Sequence, residues 1–131
     1  AAMLKENHIE WSNGISEGVK ILKENIPWTK KIIVEAETPS QAKEAVAAGA
    51  DGILLDEMSI EVIKELVPEL RQLSKSNILK NVSKSIVIEV SGINPDKISD
   101  YISTGIDLIS TSAPVTKSKW IDFSMRFTQN D

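Results

Sequence analysis

With 131 residues, 41% of them hydrophobic and 26% charged, the chain has the makings of one globular domain with a single core. Its net charge of −4, without a basic block, argues against a nucleic-acid face, and the absence of cysteine excludes disulfides and thiolate metal sites. The opening Ala1-Ala2-Met3-Leu4-Lys5 lacks a signal-peptide core, and no run nears the roughly 20 apolar residues of a membrane helix; the expectation is a cytoplasmic protein with no membrane partner.

In chain order, residues 15–26 come first, with apolar side chains at 15, 19, 21, 22 and 26, a helical spacing. Residues 32–36 are apolar at alternate positions on both sides, as in a strand buried on two faces. Thr38-Pro39-Ser40-Gln41 then reads as a helix start: Thr38 as N-cap, Pro39 in the first turn, Gln41 closing a capping box, and the helix running to about Ala48 before Gly49. A second buried strand spans 52–55. Ser59 opens a third helix with apolar positions 60, 62, 63, 66, 67 and 70, in which Pro68 is expected to cause a kink or a split. The polar stretch 73–85 leads over the surface to a third strand at 85–90, and within it Asn81-Val82-Ser83 matches a glycosylation sequon. Asn94-Pro95 repeats the cap-then-proline signal, that helix ends before Gly105, and a fourth strand covers 106–110.

Strands alternating with helices of this length specify an α/β domain over residues 1–131 with a parallel sheet. The unit echoes itself: AVAAGADGILLD at 45–56 and YISTGIDLIS at 101–110 share a helix end, a glycine, an aspartate and a buried strand. Repetition of one βα unit favours a barrel, and about four parallel units make a partial (β/α) barrel, too few to close an eight-stranded one. The open strand edges such a half-barrel leaves invite pairing, so a homo-oligomer is expected.

In parallel βα proteins ligands meet the C-terminal ends of the strands. There the sequence places Glu35 and Glu37, Asp56 and Glu57, Glu89, Ser91 and Gly92, and Ser110, Thr111 and Ser112. Glu35 lies in an otherwise apolar strand, where a carboxylate is costly unless it is paired or holds a cation. With Asp56 it can hold Mg²⁺, which takes one or two carboxylates and completes its shell with phosphate oxygens. Ser91-Gly92 and the 110–112 turn offer hydroxyls and backbone N–H groups to a phosphate. The plainer readings stand beside these: Glu37, Glu57 and Asp51 as caps or solvated loop residues, Ser-Gly as an ordinary turn, His8 as a structural histidine, and Trp11, Trp28 and Trp120 as gap-fillers.

Taken together, the motifs resemble those of the quinolinate (nicotinate-nucleotide pyrophosphorylase) phosphoribosyltransferase family. Lys5-Glu6-Asn7-His8 resembles its Lys-x-Asn-His motif, and Val34-Glu35 with Thr38 and Gln41 its Val-Glu strand and following helix. Leu54-Leu55-Asp56-Glu57-Met58 resembles Leu-Leu-Asp-Asn-Met, and Glu89-Val90-Ser91-Gly92-Ile93 resembles Glu-x-Ser-Gly-Gly-Ile. Tyr101 to Ser110 and Asp122-Phe123-Ser124-Met125 resemble the Tyr-x-x-x-Gly-Val-Asp strand and the closing Asp-x-Ser-Leu segment.

The resemblance implies the C-terminal segment of a type II phosphoribosyltransferase barrel. The implied reaction transfers phosphoribose from 5-phosphoribosyl 1-pyrophosphate to a small carboxylate acceptor such as quinolinate, with Mg²⁺ as cofactor. It assigns Lys5 to the donor, Glu35 and Asp56 to the ribose hydroxyls and Mg²⁺, and Ser91 and Gly92 to the 5′-phosphate. His8, Glu89, Ser112 and Lys117 complete the implied substrate-binding set. Such a reaction builds positive charge on the ribose carbon and negative charge on the leaving diphosphate, which carboxylates and a cation respectively stabilise. Three departures from the family pattern stand out. Ile93 replaces a glycine; Lys117 stands in place of the histidine of a Gly-Ala-Leu-Thr-His-Ser loop, with Thr111-Ser112-Ala113-Pro114 resembling the ModD branch; and the family's N-terminal domain, with the arginines that grip the acceptor carboxylates, has no counterpart in these residues. Two other readings remain open: a binding or assembly module that keeps the fold without catalysis, and another phosphate-binding barrel enzyme.

Overall fold

The computed structural model describes residues 1–78 and 85–125, so the 81–83 sequon and part of the 73–85 stretch lie outside the described residues. The elements follow in the order β1 (Ala2–Leu4), α1 (Glu6–Trp11), α2 (Ile15–Asn25), β2 (Ile32–Ala36), α3 (Pro39–Ala48), β3 (Gly52–Asp56) and α4 (Ile60–Ile78). Then come β4 (Val87–Ser91), a 3₁₀ turn (Pro95–Lys97), α5 (Ile98–Ile102), β5 (Leu108–Ile109) and α6 (Ala113–Thr116). The five strands form one parallel sheet in simple sequence order, β1 to β5. Every crossover therefore steps to the next strand in the same direction, the winding of a (β/α) barrel rather than of a doubly wound sheet.

One face of the sheet carries the core. Val34, Ala36, Leu55, Ile88 and Val90 have no exposed surface and Ile53 has 1%. Against them pack Val19 from α2, Ala42, Ala45 and Val46 from α3, and Ile63, Val67 and Leu70 from α4. The capping signals read from the sequence are built as expected. Thr38 Oγ1 accepts the N–H of Gln41 at 3.3 Å, Gln41 Oε1 accepts the N–H of Thr38 at 3.0 Å, and Gly49 closes α3 in the left-handed region at φ 81°.

Three expectations need correcting. Strand β1 was not foreseen: Ala2-Met3-Leu4 pairs in parallel with Ile32-Ile33-Val34 and makes five strands rather than four. Helix α4 is not split at Pro68. Pro68 lies on the exposed side of the helix, while the buried Ile63, Leu66, Val67 and Leu70 on either side of it anchor both halves to the core. The last two strands are displaced or shortened, to Val87–Ser91 and Leu108–Ile109.

The internal echo has a structural cause. At each repeat an aspartate reaches back from the start of one strand to the preceding strand. Asp51 Oδ2 accepts the Ile32 N–H at 3.0 Å, and Asp107 Oδ2 accepts the Ile88 N–H at 2.7 Å. Each is also ion-paired, Asp51 with Lys31 at 2.5 Å and Asp107 with Arg71 at 2.7 Å. Gly49 and Gly105, at φ 81° and 84°, make the left-handed turns that deliver the two aspartates.

Candidate active site

The face of the sheet away from the helices is open, and its polar residues gather toward the C-terminal strand ends. Strand register fixes this. Glu35 lies beside Leu54, Leu54 beside Glu89, and Glu89 beside Leu108, while Asp56 lies beside Ser91. Partners in a parallel ladder share a face, as do residues two apart on a strand. Glu35, Leu54, Asp56, Glu89 and Ser91 therefore point the same way, opposite to Val34, Leu55 and Val90. Lys5 directly follows β1, and Leu4 pairs with Val34, so Lys5 comes level with Glu35.

Each carboxylate on this face has a partner from a neighbouring strand end. Lys5 Nζ lies 2.9 Å from Glu35 Oε2. The Ser91 hydroxyl donates to Asp56 Oδ1, and the Ser110 hydroxyl donates to Glu89 Oε1. The hydrogen bond to Glu35, and then the Glu35 charge, hold the Lys5 ammonium above the ordinary lysine pKa; Glu6 and Asp56 add smaller contributions in the same direction. The Glu35 side chain is 11% exposed, and its Oε2 atom is buried with no hydrogen bond of its own beyond the Lys5 charge contact. That oxygen retains acceptor capacity that a ligand cation or hydroxyl can use.

The Mg²⁺ implied by the resemblance is testable against this donor set. Among the described residues no group of three or more His, Cys, Asp or Glu is placed to hold a metal ion. Two hard carboxylates on one face fit an ion whose other ligands are phosphate oxygens and water, as Mg²⁺ prefers. They do not fit a self-sufficient protein cage.

The other expected residues fall into two places. Gly92, Ser112 and Lys117 line a cavity of about 430 Å³ beyond the ends of β3, β4 and β5, with Glu57 on the same wall. Gly92 adopts φ 70°, and a Cβ there would lie 3.2 Å from the Glu57 nitrogen, so a glycine is needed for β4 to end this close to β3. Ile93, in place of a second glycine, turns into the core at 8% exposure. His8 stands on exposed α1, where its Nδ1 accepts the Lys5 N–H at 3.2 Å, the role of a helix cap. Sequence reasoning treated Glu57 as a cap or loop residue and named Ser110 only as part of a turn; the structure puts Glu57 in the cavity wall and Ser110 against Glu89. Ser110 stands two residues after Leu108 on the same face, a placement that only the register between strands reveals.

A second hollow, of about 250 Å³, lies at the opposite end of the open face. Ile33, Gly52, Val87 and Leu108 line it, with Lys31, Asp51 and Glu89 at its margin. It is largely apolar and touches the hydroxyl–carboxylate pairs only at Glu89. No helix among the described residues is long and apolar enough to cross a membrane.

Residues 1–126 match the family described as quinolinate phosphoribosyl transferase, C-terminal domain. A probable nicotinate-nucleotide pyrophosphorylase (carboxylating) of Methanothermobacter thermautotrophicus is 36% identical over 125 residues, covering 95% of the chain and 42% of the relative. The human nicotinate-nucleotide pyrophosphorylase (carboxylating) is 30% identical over 95% of the chain and 39% of its own length. Among solved structures, NadC from Streptococcus pyogenes superposes with a TM-score of 0.72 at 33% identity, covering 97% of the chain and 41% of that protein. A NadC deletion mutant gives 0.75 at 32% identity, covering all of the chain and 43% of that protein. The chain thus spans about two-fifths of the length of these relatives.

Proposed function

The chain belongs to the quinolinate phosphoribosyltransferase family, as its C-terminal domain, and from that premise we propose that it supplies the donor half of a phosphoribosyl-transfer site. The reaction is attack by the ring nitrogen of a pyridine carboxylate such as quinolinate on the ribose C1 of 5-phosphoribosyl 1-pyrophosphate. The C–N bond forms, the C–O bond to diphosphate breaks, and loss of the adjacent carboxylate as CO₂, with a proton from solvent taking its place on the ring carbon, gives nicotinate mononucleotide.

The observation that carries this reading is the row of paired groups along one rim, Lys5 with Glu35, Ser91 with Asp56 and Ser110 with Glu89. Glu35 and Asp56 accept the ribose hydroxyls and place negative charge near a ribose carbon that becomes positive as diphosphate leaves. Lys5, held protonated by Glu35, contacts the departing diphosphate and does not act as a base at neutral pH. Mg²⁺ held by Glu35 and Asp56 together with ligand phosphates would neutralise charge on the leaving group. Gly92, Ser112 and Lys117 take the 5′-phosphate in the 430 Å³ cavity. The acceptor carboxylates need cationic groups, and the one arginine among the described residues, Arg71, is engaged with Asp107 and the Ile86 and Gly105 carbonyls. The acceptor half is therefore assigned to the part of the relatives' length that this chain does not span.

The exposed apolar face, with Val87 42% and Leu108 52% accessible, supports a homo-oligomeric assembly. The cysteine-free composition supports a cytoplasmic location.

Calorimetric titration with 5-phosphoribosyl 1-pyrophosphate, with and without Mg²⁺, tests the assignment. The expected result is saturable, Mg²⁺-enhanced binding that is lost in Asp56→Ala. Binding that is indifferent to both Mg²⁺ and Asp56→Ala removes Asp56 from the site.

A further inference from the structure

Glu57 is in an uncommon state. It follows directly on Asp56 at the end of β3, with φ at 51° in the left-handed region. Outside glycine that region is sparsely used, and asparagine and aspartate enter it more readily than a longer side chain. A residue held there calls for an explanation in what its side chain does. Gly92, itself at φ 70°, packs so closely against it that an added Cβ would meet the Glu57 Cγ at 2.7 Å and nitrogen at 3.2 Å.

The Glu57 side chain is exposed and lines the same cavity as Lys117. Among the described residues neither makes a side-chain hydrogen bond or an ion pair, with each other or with another group. Two opposite charges therefore line one cavity without pairing, and Ser112 belongs to the same lining. Inorganic phosphate satisfies only one of them. Its charge meets Lys117 but is repelled by the carboxylate. A phosphate ester carrying hydroxyl groups satisfies both, because a carboxylate is an acceptor for hydroxyl donors and vicinal hydroxyls can bond its two oxygens.

We infer that Glu57 is a specificity-determining residue of this cavity: it selects a phosphorylated sugar over free phosphate, accepting from the sugar's hydroxyls while the phosphate meets Lys117. This rests on the reading of the cavity as the phosphate end of the donor site, and adds to it a discrimination against the small anion. The selection works through penalty as well as attraction. A site that left the carboxylate out would bind free phosphate and the sugar ester alike through their shared phosphate group.

The test compares inorganic phosphate with ribose 5-phosphate by calorimetry or ligand-observed NMR on the chain, on Glu57→Gln and on Lys117→Ala. The chain is expected to prefer ribose 5-phosphate by tenfold or more. Glu57→Gln, which keeps the shape and removes the charge, is expected to bind free phosphate about tenfold more tightly and to lose most of that preference. Glu57→Asn relieves the backbone and must behave as Gln does; a change in the Asn variant alone means conformation decides, and overturns the charge argument. An unchanged preference in Glu57→Gln overturns the role of Glu57 and leaves the phosphate cavity standing, provided that Lys117→Ala weakens both ligands. Failure of both ligands to bind the unmodified chain overturns the cavity assignment itself, and this inference with it.

Discussion

Lys5 and Glu35 meet across the junction of β1 and β2, ammonium to carboxylate at 2.9 Å, with the carboxylate oxygen buried. The pKa of Lys5 is raised above its ordinary 10.5, chiefly by the hydrogen bond to Glu35. A raised lysine pKa means that the folded state favours the protonated form. The pairing contributes in full below the ordinary value and is lost as pH climbs through the raised one. In acetylation profiles followed by mass spectrometry, Lys5 should reach half its limiting rate at higher pH in the unmodified chain than in Glu35→Gln; if the two Lys5 profiles coincide, the pairing is not formed in solution.

The equivalent aspartates of the two repeats should behave alike. Asp107→Ala leaves the Ile88 N–H without its acceptor and the Arg71 guanidinium without its carboxylate, a loss of about 1–3 kcal/mol. Asp51→Ala deprives the Ile32 N–H in the same way. Urea unfolding of both variants should show lowered midpoints with an unchanged slope, and donor binding in the folded state should be unaffected.

Gly92→Ala should cost about 1–2 kcal/mol, because it forces a side chain into the left-handed region against the Glu57 backbone. Glu57→Asn should move in the other direction, a gain of a few tenths to about 1 kcal/mol, since asparagine tolerates that region better. Thermal unfolding of both variants checks the pair of signs. Equal and small effects would mean that neither backbone is strained.

The open face should govern association. Val87 and Leu108 are half exposed around an apolar hollow, so Val87→Ser with Leu108→Ser removes much of what a second copy could bury. Sedimentation over a hundredfold concentration range should show self-association of the unmodified chain, reduced in the double variant. A sharp monomer throughout would end the oligomer proposal.

Much of the fold was legible because its signals were local. Thr38, Pro39, Gln41 and Gly49 each state a helix boundary through a hydrogen bond or a backbone angle, and all four stand where those rules place them. Strand β1 was missed because three residues cannot show a period, and only pairing with Ile32-Ile33-Val34 makes them a strand. Pro68 misled because its local cost is real, yet the buried residues on both sides of it outweigh that cost. At the site, Glu35 and Asp56 could be read from their place at strand ends. The contacts of Ser91 with Asp56 and of Ser110 with Glu89 depend on register between strands, which no single stretch of sequence encodes. The place of Glu57 in the cavity lining depends on the approach of Gly92, 35 positions further on in the sequence, which no local stretch around Glu57 encodes.

The two aspartate clasps have a further consequence. Asp51 and Asp107 fasten the strands at the ends where they begin, whereas the proposed chemistry occupies the ends where they finish. Durability and selectivity are thereby written into different residues of the same repeating unit. Substitutions at the finishing ends can accumulate and retune the ligand without loosening the clasps, so a chain built this way can change what it recognises while remaining folded throughout.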